Sequence, residues 1–105
     1  MGGATRYTDS IIQADITRCF ICGQNGANDR LEIHHVFNGA YRKKSEEYGL
    51  KVALCGDKCH RNGEKAPHRN AVIDKKLKAL AQKKAMKYYG WTTSEFIKLF
   101  GKNYI

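Results

Sequence analysis

Two stretches of the chain alternate apolar and polar residues, and two others repeat apolar residues at helical spacing. Residues 30–36, Arg-Leu-Glu-Ile-His-His-Val, set Leu31, Ile33 and, in the same phase, His35 on one side, which predicts a strand. Residues 50–54, Leu-Lys-Val-Ala-Leu, predict a second short strand. Between them, residues 38–49 read as a polar loop with one helical turn around Lys44–Glu47. From Cys55 to Asn62 the chain is expected to leave the strand by a turn and enter a helix, followed by loop across Gly63 and Pro67. Asn70 is a good N-cap for a long helix over 71–89, with Ile73, Leu77, Leu80, Ala81 and Tyr88 as its apolar stripe and Gly90 as its stop. Thr92-Thr93-Ser94-Glu95 has the capping-box pattern, so a short helix is expected over 93–100, ended by Gly101.

At 105 residues the chain fits one domain, and a domain of this size often needs a metal or disulfides to hold its small core. The 42% hydrophobic content excludes a disordered tail. No apolar run approaches the roughly 20 residues that cross a bilayer, so no membrane partner is expected. Met1-Gly2-Gly3-Ala4-Thr5 has no basic head followed by an apolar stretch, so the expectation is a cytoplasmic protein without a secretory leader. Four cysteines in a reducing compartment more often hold metal than form disulfides. The order of features suggests one domain in three parts: a lead-in over 1–18, a metal-bearing core over 19–69 and helices over 70–105.

The formal net charge of +9 is unevenly placed. Residues 1–60 carry 8 basic and 7 acidic side chains, whereas residues 61–105 carry 11 and 3. One basic half on a small domain points to a polyanion, and nucleic acid is the usual one.

The cysteines are spaced Cys19-x2-Cys22 and Cys55-x3-Cys59. Four thiolates suit tetrahedral zinc, and such a site keeps no open position, so its role is structural. Four separate buried thiols, or a redox pair at Cys19 and Cys22, are the alternatives. All four histidines, His34, His35, His60 and His68, lie between residues 34 and 68. Neighbouring strand residues point to opposite faces, so one of His34 and His35 can bind a metal while the other meets a substrate water. Phosphodiester hydrolysis needs such a pairing of a base with a cation near the phosphate.

The order Cys19-x2-Cys22, Ile33-His34-His35-Val36, Leu50-Lys51-Val52-Ala53-Leu54-Cys55 and Cys59-His60 resembles the zinc-ribbon HNH endonucleases, which share the ββα-metal core also called the His-Me finger. The stretches Gly39–Leu50 and Phe100–Ile105 resemble small HNH proteins common in phages and prophages. The resemblance implies an α+β fold: a ββα-metal core with a four-cysteine zinc site, and C-terminal helices behind it. It implies His35 as general base, with His34 and His60 as ligands of a catalytic divalent ion such as Mg²⁺ or Mn²⁺. His68 is the preferred third ligand and Glu64 the alternative.

Double-stranded DNA is the expected substrate, with Arg42, Lys43, Lys44, Arg61 and Arg69 as phosphate contacts, in a bacterial or phage-infected cell. Phage packaging or recombination proteins are further candidate partners. The family's middle asparagine would fall just before the second strand, where this chain has Gly49, Leu50 and Lys51, leaving Asn38 or a backbone contact to brace the loop. The rival readings are a zinc-stabilised nucleic-acid binder without catalysis and a module that binds a phage protein.

Overall fold

Two antiparallel strands form the frame: β1 (Leu31–His35) and β2 (Lys51–Cys55), paired from Leu31 opposite Cys55 to His35 opposite Lys51. The computed structural model describes residues 9–105. Residues 1–8, which include the Met1–Thr5 stretch and the start of the lead-in, lie outside the described residues.

β2 is buried along its whole length, as a strand covered on both faces requires. β1 is different. The alternation that marks it as a strand also marks Leu31 and Ile33 as its apolar side, yet the buried residue is His34, at 2% exposure, while Ile33 is 42% exposed. Packing of the following segment over the His34 face overrides the simple apolar-inward rule.

The strands are joined by a 3-10 turn (Gly39–Tyr41) and helix α1 (Arg42–Glu47). This element is longer than the single helical turn expected there. Buried Ser45 locks it: its hydroxyl accepts from the Phe37 N–H at 3.2 Å and donates to the Leu50 carbonyl at 2.5 Å.

After β2 the expected α-helix is replaced by a wide π-type turn, Gly56–Arg61. Its first amides would otherwise lack acceptors. The Asp29 carboxylate supplies them, accepting from the N–H of Asp57 at 3.0 Å and of Lys58 at 2.9 Å. A Cβ at Gly63 would lie 1.7 Å from the Lys58 carbonyl oxygen, so only glycine lets the chain fold back over this turn.

Helices α2 (Ala71–Tyr89) and α3 (Thr93–Phe100) occur at the expected bounds. The Asn70 side chain accepts from the Val72 and Ile73 N–H groups, and Gly90 closes α2 in the left-handed conformation. Thr92 and Glu95 form the capping box of α3. The buried face of α2 is Leu77, Ala81, Gln82 and Ala85. Tyr88, expected on that stripe, is 68% exposed; Tyr89 turns inward instead and donates its hydroxyl to the Tyr48 carbonyl at 2.8 Å. Phe37, leaving β1, packs against Phe100 and Phe96 of α3 with ring centroids 4.7 and 5.6 Å apart. Among the described residues, no helix is long and apolar enough to cross a membrane.

Candidate metal centres and catalytic cleft

The loop before β1 carries the first cysteine pair as a tight knuckle. Gly23 N–H donates to the Cys19 carbonyl at 2.8 Å, and Cys22 N–H points at the Cys19 sulfur at 3.4 Å. Phe20 N–H donates to the Ala53 carbonyl at 2.8 Å, which pins the knuckle against β2. Cys55 ends that strand and Cys59 sits in the turn beyond it. The four Sγ atoms of Cys19, Cys22, Cys55 and Cys59 lie within 4.8 Å of one another, close enough to hold a metal ion such as zinc.

The donor chemistry fits a cation. Burial pushes the Cys55 thiol up to about 12, and it pushes the Cys59 thiol up as well. At Cys19 burial also raises the value, but N–H groups of Cys22, Cys55 and Ile21 outweigh it and bring the thiol down to about 7. Thiols packed this closely ionise together only with positive charge among them.

The second cluster lies across the same turn. His34 on β1, His60 in the wide turn and His68 in the loop before α2 each bring a ring nitrogen within 4.8 Å of the others. His68 is therefore the third member of this group and Glu64 is not; the Glu64 backbone carbonyl instead accepts from Asn70. Burial, with His60, His68, His35 and Lys78 nearby, pushes His34 down to about 3, so its ring stays neutral near neutral pH. Its Nε2 is buried with no hydrogen-bond partner among the described residues. A buried ring nitrogen without a partner calls for a ligand.

His60 is oriented by Glu32, whose Oε1 lies 2.8 Å from His60 Nδ1. A carboxylate can only accept, so the His60 Nδ1–H donates to it and Nε2 is the ring nitrogen turned to the cluster. That Nε2 lies 3.1 Å from His68 Nε2, about the separation of two nitrogens that share one ion at ~2.1 Å. Glu32 was missed in the sequence, although its position two residues before His34 places it on the His34 face of β1.

His35 faces the other way along β1, and its Nε2 lies 2.8 Å from Glu46 Oε1. The second Glu46 oxygen is held by the Lys51 ammonium at 2.6 Å. Both faces nonetheless border one shallow cleft, whose walls include His34, His35, His60, His68, Asn38 and Arg42.

The other basic candidates are placed variously. Lys43 is exposed on α1. Arg61 pairs with Glu32 at 2.9 Å, and Arg69 donates to the Asn62 carbonyl at 3.0 Å. Lys44 donates to the Leu99 carbonyl at 3.1 Å and so ties α1 to the end of α3. Among the described residues, the Asn38 side chain makes no hydrogen bond that braces the loop. Compared with family models, with curated proteins and with solved structures, the chain matches none.

Proposed function

We propose that the protein is a metal-dependent endonuclease of the HNH kind that hydrolyses phosphodiester bonds in double-stranded DNA. One observation carries the reading. His34, His60 and His68 converge through ring nitrogens, with the His34 Nε2 orphaned, beside a fourth histidine on the same cleft. A structural fold stabiliser would not need this set, because the cysteine cluster already serves that end.

A divalent ion such as Mg²⁺ or Mn²⁺ at the three imidazoles would offset negative charge on the scissile phosphate and on its leaving oxygen. The chain's own groups do the rest. His35 takes a proton from water; the water's O–H pair stays on oxygen and forms the new P–O bond. The P–O ester bond breaks with its electron pair on the leaving oxygen, which solvent protonates. Arg42 lies at the same cleft and meets a phosphate oxygen there. The cysteine cluster, filled with zinc, holds His60 in place through its neighbour Cys59.

Nicking of supercoiled plasmid tests this reading. Cleavage is expected with added Mn²⁺ and absent with a chelator of divalent ions that leaves the zinc in place. Binding of DNA without any cleavage would favour a zinc-stabilised nucleic-acid binder instead.

A further inference from the structure

We propose that Glu46 is the positioning residue of the general base. Its carboxylate fixes the proton of neutral His35 on Nε2 and turns Nδ1 toward the substrate water. The inference rests on the endonuclease reading above and deepens it.

The two oxygens of Glu46 do different work. Oε1 meets His35 Nε2 at 2.8 Å, and Oε2 meets the Lys51 ammonium at 2.6 Å. Lys51 stands directly opposite His35 in the strand register, so the three groups lie across one rung of the hairpin and the helix above it. All three side chains are largely covered, at 11% for His35, 22% for Glu46 and 8% for Lys51.

An ionised carboxylate accepts and never donates, so Nε2 must carry the ring proton. Nδ1 then holds the lone pair, and among the described residues it makes no hydrogen bond. When Nδ1 takes the water's proton, the ring becomes a cation with its Nε2–H still on Glu46. The carboxylate stabilises that cation as it orients the ring, which is the job of the acid in a Ser-His-Asp triad. Lys51 holds the carboxylate still. In this chain α1 thus supplies an acid to the base, in place of the Asn38 side chain or backbone contact expected to brace the loop.

Two readouts test the proposal. The first is the nitrogen chemical shifts of His35 in protein with zinc in the cysteine cage, no metal at the histidine cluster and the imidazoles neutral. The parent is expected to carry its proton on Nε2, and Glu46→Ala to lose that preference. The second is single-turnover cleavage. Glu46→Ala is expected to slow it by roughly 10–100-fold, as loss of an orienting partner typically does, with half-saturation by DNA unchanged. Glu46→Gln keeps an acceptor oxygen but loses the negative charge that stabilises the imidazolium, so it is expected to hold the tautomer while recovering only part of the rate.

In a His35→Ala background, Glu46→Ala is expected to add nothing. Because Glu46→Ala takes a carboxylate from the largely buried Lys51, the pair Glu46→Ala with Lys51→Met is the second variant, expected to fold and to show the same two changes. A parent His35 protonated on Nδ1 overturns the proposal. So does a Glu46→Ala protein that cuts at the parent rate, or one that slows the His35→Ala background further. A parent that cuts nothing overturns the endonuclease reading itself, and the tautomer readout tells the two failures apart.

Discussion

The cysteine cluster and the histidine cluster are neighbours built on opposite terms. The cage gathers soft donors, three of its four cysteines are buried, and its contacts are backbone amides and other thiols. The cleft gathers imidazoles at graded depth: His34 is buried, His60 half-buried and His68 exposed. Its rings are steered by carboxylates, Glu32 on His60 and Glu46 on His35. The cage is closed and suits an ion that never meets substrate. The cleft keeps a side open to solvent at His68, as a site that admits a further ligand requires. The same small frame thus carries two ligand sets, and the proposed function gives the cysteines to folding and the histidines to chemistry.

The largest expected effect comes from breaking the closed member of the pair. Structural zinc contributes on the order of 10–16 kcal/mol to small domains, against a total stability of about 5–15 kcal/mol. Cys59→Ser or full zinc removal is therefore expected to unfold much of the domain, read by circular dichroism, with about one zinc per chain in the parent. A zinc-free protein with its fold intact would sink the cage.

The next effect lies at the open member. His35→Ala is expected to slow cleavage by about 10²–10⁴-fold while zinc content and DNA binding stay near normal. His34→Ala and His60→Ala are expected to lose cleavage through metal affinity, so excess Mn²⁺ restores part of it. If Mn²⁺ rescued His35→Ala equally well, base and ligand would not be distinct roles on this strand.

A smaller effect is expected one step out from the ligands. Glu32 fixes the His60 tautomer through Nδ1, and Glu32→Ala is expected to weaken divalent-ion binding about 10–100-fold. The Mn²⁺ concentration for half-maximal nicking is the measurement; an unchanged value would reduce Glu32 to a partner of Arg61.

The smallest effect concerns acid. His34 has its value lowered from 6.5 to about 3 in the fold, so between these limits the unfolded chain binds a proton there and the folded one does not. The contribution of this ring to stability is present in full above pH 6.5 and falls as pH drops through that window, by up to about 1.4 kcal/mol per pH unit. Parent and His34→Gln proteins, both with zinc in the cysteine cage and no metal at the histidine cluster, share any acid loss of zinc. The stability of the parent relative to the variant is expected to shrink below pH 6.5. A constant difference would show that His34 is protonated in the folded state.

Much of this arrangement was legible because its signals are local. The ends of α2 and α3 are written in Asn70, Gly90, Thr92, Glu95 and Gly101, each acting within a turn of itself. The cysteine spacing names a tetrad without knowledge of the fold, and the family resemblance pointed to His34 and His60 with His68 preferred over Glu64, the three that the fold brings together. What escaped depends on contacts between distant segments. Asp29 reaches across to residues 57 and 58 and supports a wide turn where an α-helix was expected. His34 is buried and Ile33 is not, because the loop bearing His60 and His68 covers one face of β1. Glu46 lies eleven residues from His35 and meets it only when α1 folds over the hairpin. The Tyr88 and Tyr89 exchange turns on a single step of helix phase, which a stripe of apolar residues does not resolve.

Cys59 and His60 are consecutive residues of one six-residue turn, yet one belongs to the cage and the other to the cleft. This adjacency sets an order of assembly. A mild chelator would empty the cleft alone, and the turn, still clamped at Cys59, would take up its divalent ion again at once. A stronger one that strips the cage would also release His60, so Mn²⁺ supplied alone would find no site to enter. For a protein that cuts DNA as proposed, inactivation cured by Mn²⁺ and inactivation cured only by zinc followed by Mn²⁺ would then be two separate lesions of one preparation, and the order of addition would distinguish them.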